Sequence, residues 1–345
     1  MAPTTQKALV IPAEKAAFKL LTDYPVATPE ADEVLVKVAV TAICPAEWKI
    51  QTYGAPFLSE YPFIGGLDVA GIVEEVGASV QNVKKGGKIV CPGGFQTRHA
   101  GFKEYTIALA EHIPENVTFA EAVSVPLGLA TAITPLYAPE GPDSLGLPAP
   151  WEPEGTTKFA GKPALIVGGS TSVGQYAIQV ARMAGFAPIL TTAAPKHADA
   201  LRALGATHVL DRALAPSSAG GVALAYEAVG DEESQRLAYA ALAAHAAAGF
   251  VSVTPGAPPE VLAAVAEDGD GKRVARAFSS LEVPQNRAVG REVFARLEGW
   301  LRDGTVKPNR VEVLVGLEAI PEGVRRVKEG KVSGVKLVVK VAEDL

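Results

Sequence analysis

A run of small residues, Gly168-Gly169-Ser170-Thr171-Ser172-Val173-Gly174, follows the apolar stretch Ala164-Leu165-Ile166-Val167. Beyond it Val173, Ala177, Val180, Ala181 and Ala184 recur at helical spacing, and Gly185 stops the pattern. Small residues let the backbone turn tightly against a pyrophosphate, whose charge then meets the amides and the positive dipole end of a starting helix. Against the pattern G-x-G-x-x-G, Gly169 and Gly174 fill the outer positions and Thr171 the middle one. Alone, such a string is equally an ordinary tight turn. Between a strand and a periodic helix it points to dinucleotide binding through Gly169, Ser170, Thr171, Ser172, Val173 and Gly174, with three hydroxyls as added donors.

The end of the next strand chooses between nucleotides. An NAD site places Asp or Glu about 20 residues on, to accept from the ribose 2′-hydroxyl. Here Thr191-Thr192-Ala193-Ala194-Pro195-Lys196-His197 carries no acid, and the first one is Asp199, inside the following helix. No carboxylate repels a 2′-phosphate, Thr192 and Lys196 become expected contacts, and NADPH is the expected cofactor; the alternative for Lys196 is a solvated surface lysine. In an open sheet the carboxyl ends of later strands face the same ligand, which adds Val229, Val253, Thr254, Phe278 and Ser279.

These residues need a scaffold, and two textures supply it. Up to about residue 120 the chain reads as short strands with glycine turns, among them Val34–Val40, Gly71–Val76 and Gly87–Val90, which suggests a barrel or sandwich. Phe119–Tyr137 is rich in Ala and Leu, with Pro126 and Pro135 expected to divide it into short helical pieces. Five prolines between Ala138 and Lys162 predict a long loop. From Ala164 strands and helices alternate through Ile189–Thr192, His197–Leu204, His208–Leu210, Ala223–Tyr226, Glu232–Leu242 and Phe250–Val253, the mark of a doubly wound parallel sheet. A helix at Arg291–Leu301 and a strand at Val335–Lys340 close the chain. The expectation is α/β with two domains, one comprising residues 1–127 and 286–345, the other 128–285.

Composition excludes several classes. The 38 acidic and 32 basic residues leave a net charge of −6, so no basic field draws nucleic acid or anionic lipid. Cys44 and Cys91 are too few for a disulfide framework or a four-thiolate zinc site, and the five histidines show no ligand spacing. The first residues lack an apolar signal core and no uncharged apolar run reaches about 18 residues, so the expected setting is cytoplasmic. No Gly-x-Ser-x-Gly elbow anchors hydrolase chemistry.

At this point the layout resembles the medium-chain dehydrogenase/reductase superfamily over nearly the whole chain. The likeness rests on Thr41-Ala42-Ile43-Cys44-Pro45-Ala46-Glu47-Trp48-Lys49, Gly65-Gly66-Leu67-Asp68-Val69-Ala70-Gly71-Ile72-Val73, Gly86-Gly87-Lys88-Ile89-Val90, the phosphate turn and the closing Gly330–Val339 segment. It implies a GroES-like β-barrel, a Rossmann-like NADP-binding domain, and an active site in the cleft between them. Zinc-dependent members hold metal on a Cys and on a His after the Gly-Gly pair. Cys44 matches the first position, but the second is Leu67, which has no lone pair, and a catalytic zinc needs three protein ligands. The resemblance therefore points to the zinc-free branch of quinone oxidoreductases and enoyl reductases, most closely the trans-acting enoyl reductases of polyketide pathways. There the chain has Cys44-Pro45-Ala46-Glu47-Trp48-Lys49 where those relatives have Asn-Pro-Ser-Asp-x-Lys, which alters the pocket wall.

The chemistry so implied is hydride transfer to the β-carbon of a C=C conjugated to a carbonyl, with a hydrogen-bond donor at the oxygen where charge builds. Lys49 matches the lysine of the polyketide-type pocket, and Tyr53 the tyrosine segment of mitochondrial enoyl reductases. Thr131 matches a threonine that reaches cofactor or substrate, and Lys336 a lysine near the family's C-terminus that approaches the cofactor. For each a plain alternative stands: solvated lysines, loop packing for Tyr53, an ordinary helix hydroxyl for Thr131. The implied partner is a small-molecule substrate, thioester-bound ones included, and the implied state a monomer or a homodimer. Two other functions stay open, a zinc-free carbonyl reductase or alcohol dehydrogenase, and a non-catalytic NADPH-binding protein.

Overall fold

The computed structural model describes residues 2–58, 60–108, 111–212, 221–243, 249–253, 257–267, 272–281 and 283–342. The chain divides into two compact units, one of Met1–Leu127 with Phe294–Leu345, the other Gly128–Val293. The second crossing falls inside the helix Pro284–Asp303, later than the residue 286 expected from sequence. Helical periodicity runs through that crossing, so the sequence carries no break there to read.

The first unit is built mainly of antiparallel strands. Val34–Ala42 is buried along its length except for half-buried Lys37, and strands pair on both of its edges. Among the described residues its sheet runs Val311–Val315, Lys336–Lys340, Val34–Ala42, Asp68–Val76, Lys88–Pro92, Glu111–His112, and Tyr105–Ala108 also pairs with Val34–Ala42. A smaller sheet sets Thr5–Ile11 between Lys19–Pro25 and Phe63–Ile64. Pro45–Tyr53 is a helix that the sequence reading did not predict; Tyr53, for which a pocket donor and loop packing both stood open, ends it. Its start is fixed by Pro45 in the first turn and by Glu47, whose carboxylate accepts from the Cys44 amide at 2.8 Å.

The second unit carries the parallel sheet. Its strands, in spatial order His208–Asp211, Ile189–Ala193, Ala164–Val167, Leu224–Glu227, Gly249–Ser252 and Val274–Arg276, are parallel throughout the described residues. This is the 3-2-1-4-5-6 order of a dinucleotide-binding fold, which places the end of the first strand at the topological switch point. The helix Ser172–Met183 buries its face of Ala177, Ile178, Val180 and Ala181.

Pro126 does open a new helix, Pro126–Tyr137, after the short Phe119–Ala122, but Pro135 does not break it. A proline there leaves the carbonyl of Thr131 without its helical donor, and the buried Tyr226 hydroxyl donates to that carbonyl at 2.6 Å instead. The Phe119–Tyr137 stretch is apolar and long enough to attract attention as a membrane span, yet 72% of its apolar window is buried within the chain. The proline-rich segment is a packed strap, burying Leu145, Leu147, Ala149 and Phe159, with Phe159 stacked on Phe186.

Candidate functional site

The phosphate turn is fastened to the neighbouring strand. The amide of Gly168 donates to Thr192 Oγ1 at 3.0 Å and that of Gly169 to the Thr192 carbonyl at 3.0 Å. A Cβ on Gly169 would stand 2.0 Å from Thr191 Oγ1, so glycine is required for this approach. Thr171, which replaces the middle glycine of the pattern, is the N-cap of Ser172–Met183; its hydroxyl accepts from the Gly174 amide at 2.9 Å. The first-turn amides of any helix lack acceptors within the helix and can serve a ligand there. A tight glycine turn, bare of carboxylates and aimed from a switch point at a capped helix start, fits the diphosphate of a dinucleotide.

At the end of Ile189–Ala193 there is again no carboxylate on the strand itself, and Lys196 is exposed on the Pro195–His197 turn. Two residues missed from sequence lie alongside. Asp211 comes level with Ala193 on the adjacent strand, and exposed Arg212 comes next, its amide donating to the Ala193 carbonyl at 3.3 Å. No local spacing announces them; only the register of parallel strands brings them there. Val229 lies against Gly168, whose Cβ would meet Val229 Cγ2 at 2.5 Å. Val253 donates its amide to the Glu227 carbonyl at 3.2 Å. Phe278 and Ser279 come after the last strand, with the Phe278 carbonyl accepting from Asn286 Nδ2 at 2.7 Å. Thr254 lies outside the described residues.

In the first unit Lys49 and Tyr53 come one helical turn apart on Pro45–Tyr53, and so share a face. Lys49 Nζ sits 5.8 Å from the centre of the Trp48 ring, and Trp48 meets the Tyr53 ring edge-on at 5.9 Å. Tyr53 is 66% exposed, as is its neighbour Phe57 at 61%, which contacts Phe95. Thr131 belongs to the second unit, half-buried on Pro126–Tyr137.

Lys336 is buried, and its ammonium stands 3.2 Å from Asp68 Oδ2, also buried. Asp68 Oδ1 accepts from the Leu127 amide at 2.7 Å, in the first turn of Pro126–Tyr137. Beside this pair Cys44 Sγ donates to Glu47 Oε2 at 2.8 Å, and Glu47 Oε1 accepts from the Gly66 amide at 3.3 Å. Burial and then the Glu47 charge hold the Cys44 thiol well above the ordinary range, so it stays protonated. Burial opposes the charge of Lys336, but Asp68 above all, with Glu47, keeps it above the usual lysine range. A protonated thiol engaged with a carboxylate, a leucine at position 67 and a resident ammonium do not fit a zinc ion. Among the described residues no group of three or more His, Cys, Asp or Glu side chains is arranged to hold a metal.

Comparison with known proteins agrees with this layout. The family model for the alcohol dehydrogenase GroES-like domain matches residues 30–133, and that for zinc-binding dehydrogenase matches 172–269. A zinc-type alcohol dehydrogenase-like protein of Schizosaccharomyces pombe is 31% identical over 346 residues, covering 94% of this chain and 96% of that protein. A trans-enoyl reductase of a Penicillium species is 27% identical over 364 residues, covering 98% and 99%. Two solved structures share the fold. The quinone oxidoreductase from Coxiella burnetii has a TM-score of 0.73 at 22% identity and covers 98% of this chain and 99% of its own. CurK enoyl reductase has a TM-score of 0.77 at 20% identity and covers 98% and 100%. With the antiparallel unit, the 3-2-1-4-5-6 parallel sheet and a relative matched almost end to end, the chain belongs to the medium-chain dehydrogenase/reductase superfamily of nicotinamide-dependent oxidoreductases.

Proposed function

We propose that this chain is an NADPH-dependent, zinc-independent reductase of C=C bonds conjugated to a carbonyl, in enoyl, enone or quinone substrates. The observation that carries the reading is the buried cluster of Cys44, Glu47, Asp68 and Lys336, a donor set unsuited to the zinc that polarises the substrate oxygen in the zinc-dependent members of the family. Without a Lewis acid, the negative charge that develops on a conjugated carbonyl oxygen has to be met by protein hydrogen-bond donors. Relatives named as trans-enoyl reductases match along nearly their full length, which favours C=C over C=O reduction.

A bound nicotinamide nucleotide supplies the hydride, here to the β-carbon. The chain's own residues bind and orient. The Gly169–Gly174 turn receives the diphosphate at the helix start, and the cations for a 2′-phosphate are exposed Lys196, after the end of Ile189–Ala193, and exposed Arg212, next to Asp211 at the end of the adjacent strand. Lys49 and Tyr53, on one helical face, are the donors for the carbonyl oxygen, and Thr131 is a further hydroxyl for cofactor or substrate. A proton then reaches the α-carbon and completes the saturated product. The substrate is a small molecule, free or thioester-bound, and the protein acts as a monomer or homodimer in the cytoplasm.

Product analysis tests the reading. With NADPH and an α,β-unsaturated aldehyde, saturated aldehyde is expected, unchanged after exhaustive chelation. Allylic alcohol would mark a carbonyl reductase instead, and binding without turnover across an acceptor panel a non-catalytic protein. Lys196→Ala is expected to weaken NADPH binding about tenfold and leave NADH binding nearly unchanged. Equal loss for both nucleotides would remove the 2′-phosphate argument.

A further inference from the structure

We infer that Glu227 is a positioning residue for nucleotide binding: from the buried end of the Leu224–Glu227 strand it folds the Ala228–Gly230 turn so that Val229 walls the phosphate turn. The inference rests on the reading that the second unit binds a nicotinamide nucleotide.

Glu227 is fully buried, directly after Leu224, Ala225 and Tyr226, which fill the same strand with apolar bulk. One carboxylate oxygen, Oε1, accepts from the Val229 amide at 2.5 Å, the Gly230 amide at 2.8 Å and Ser234 Oγ at 2.9 Å. The other, Oε2, is buried and has no hydrogen-bond partner among the described residues. Burial raises the pKa of this group, and the two amides and Ser234 pull against that rise. A half-satisfied buried carboxylate is a costly way to fill a core position, since an apolar side chain would do so without the desolvation penalty. What the carboxylate adds is a grip on two successive amides.

That grip has a visible consequence. It bends the chain at Gly230, which sits at φ 90°, and leaves Val229 49% exposed, an apolar side chain at the carboxyl edge of the sheet. Val229 is not loose there. Glu227 pairs with Val167, the Ala228 amide donates to the Val167 carbonyl at 3.0 Å, and Val229 Cγ2 lies against Gly168, the first residue of the phosphate turn. An apolar wall beside an anion-binding turn suits a ligand that joins a diphosphate to flat rings, as a dinucleotide does.

Calorimetric titration of the full chain with NADPH and NADH tests this. Glu227→Leu removes the acceptor and is expected to raise the NADPH dissociation constant about tenfold, with the loss falling on KM for the nucleotide and not on kcat. Glu227→Gln keeps an acceptor oxygen for the two amides and is expected to stay within about threefold of the native constant. Val229→Gly leaves the buried carboxylate in place and is expected to weaken binding about fivefold, and to add little when combined with Glu227→Leu. Native affinity in Glu227→Leu or in Val229→Gly overturns the inference, as does full additivity of the two. If Glu227→Leu fails to fold, the Gln and Val229 variants decide. A native chain that binds neither nucleotide overturns the underlying reading instead.

Discussion

Asp68 holds two groups with its two oxygens, the Leu127 amide on one and the Lys336 ammonium on the other. Removing either partner of a buried ion pair strands the other charge, so Asp68→Asn and Lys336→Met should each cost about 3–5 kcal/mol in urea unfolding. The double variant should recover much of the loss of the worse single change; strictly additive losses would show that the two side chains do not depend on each other. Lys103 makes a different use of burial. Its ammonium donates to the carbonyls of Thr97 at 2.6 Å and Arg98 at 3.0 Å, yet burial and then the Arg98 charge push its pKa down to about 7 from 10.5. Between those two values the unfolded chain binds a proton that the folded chain lacks, so stability should climb with pH across that window, by on the order of 5 kcal/mol. Lys103→Met should flatten the climb in unfolding curves taken at successive pH values. At this scale the sequence yielded the mismatch of Cys44 with Leu67, because both sit in a local motif. It did not yield the buried state of Asp68, Lys336 or Glu227, since burial depends on strands far apart in the chain.

Among the elements, the phosphate turn was legible because its glycines, strand and helix are contiguous. What holds it down was not, since Thr191 and Thr192 arrive from the next strand. Gly169→Ala should therefore cost at least about tenfold in NADPH affinity by pushing the turn off Thr191, whose hydroxyl is itself bound to the Ile166 carbonyl at 2.7 Å. Unchanged affinity in a fluorescence titration would mean that the nucleotide does not depend on this turn. Three helices escaped sequence reading for a shared reason. Pro45–Tyr53, Pro259–Glu267 and Ile320–Lys328 are short and carry proline at their first or second position, and the last contains Gly323, usually a poor helix former. Packing explains that glycine: a Cβ there would stand 2.4 Å from Ile43 Cδ1. Pro135 misled in the opposite direction, because its effect is repaired by Tyr226, a residue of another element.

Across the whole molecule, the two-part organisation was readable from the change in texture near residue 120, where glycine-punctuated strands give way to alternating strand and helix. The spatial order of the parallel strands, and the arrival of Asp211 and Arg212 beside Ala193, were not, because sheet order is a long-range property. Nor does the sequence bring together side chains such as Phe57 and Phe95, which meet only on folding. The unit boundaries also constrain how such a chain can change. Both passages from unit to unit occur within helices, Pro126–Tyr137 and Pro284–Asp303. One extra residue at either seam would advance the helix by about 1.5 Å and rotate its downstream portion by about 100°. Recombination between relatives would thus have to preserve helical phase as well as reading frame, which makes these junctions poor sites for insertion and demanding ones for domain grafting.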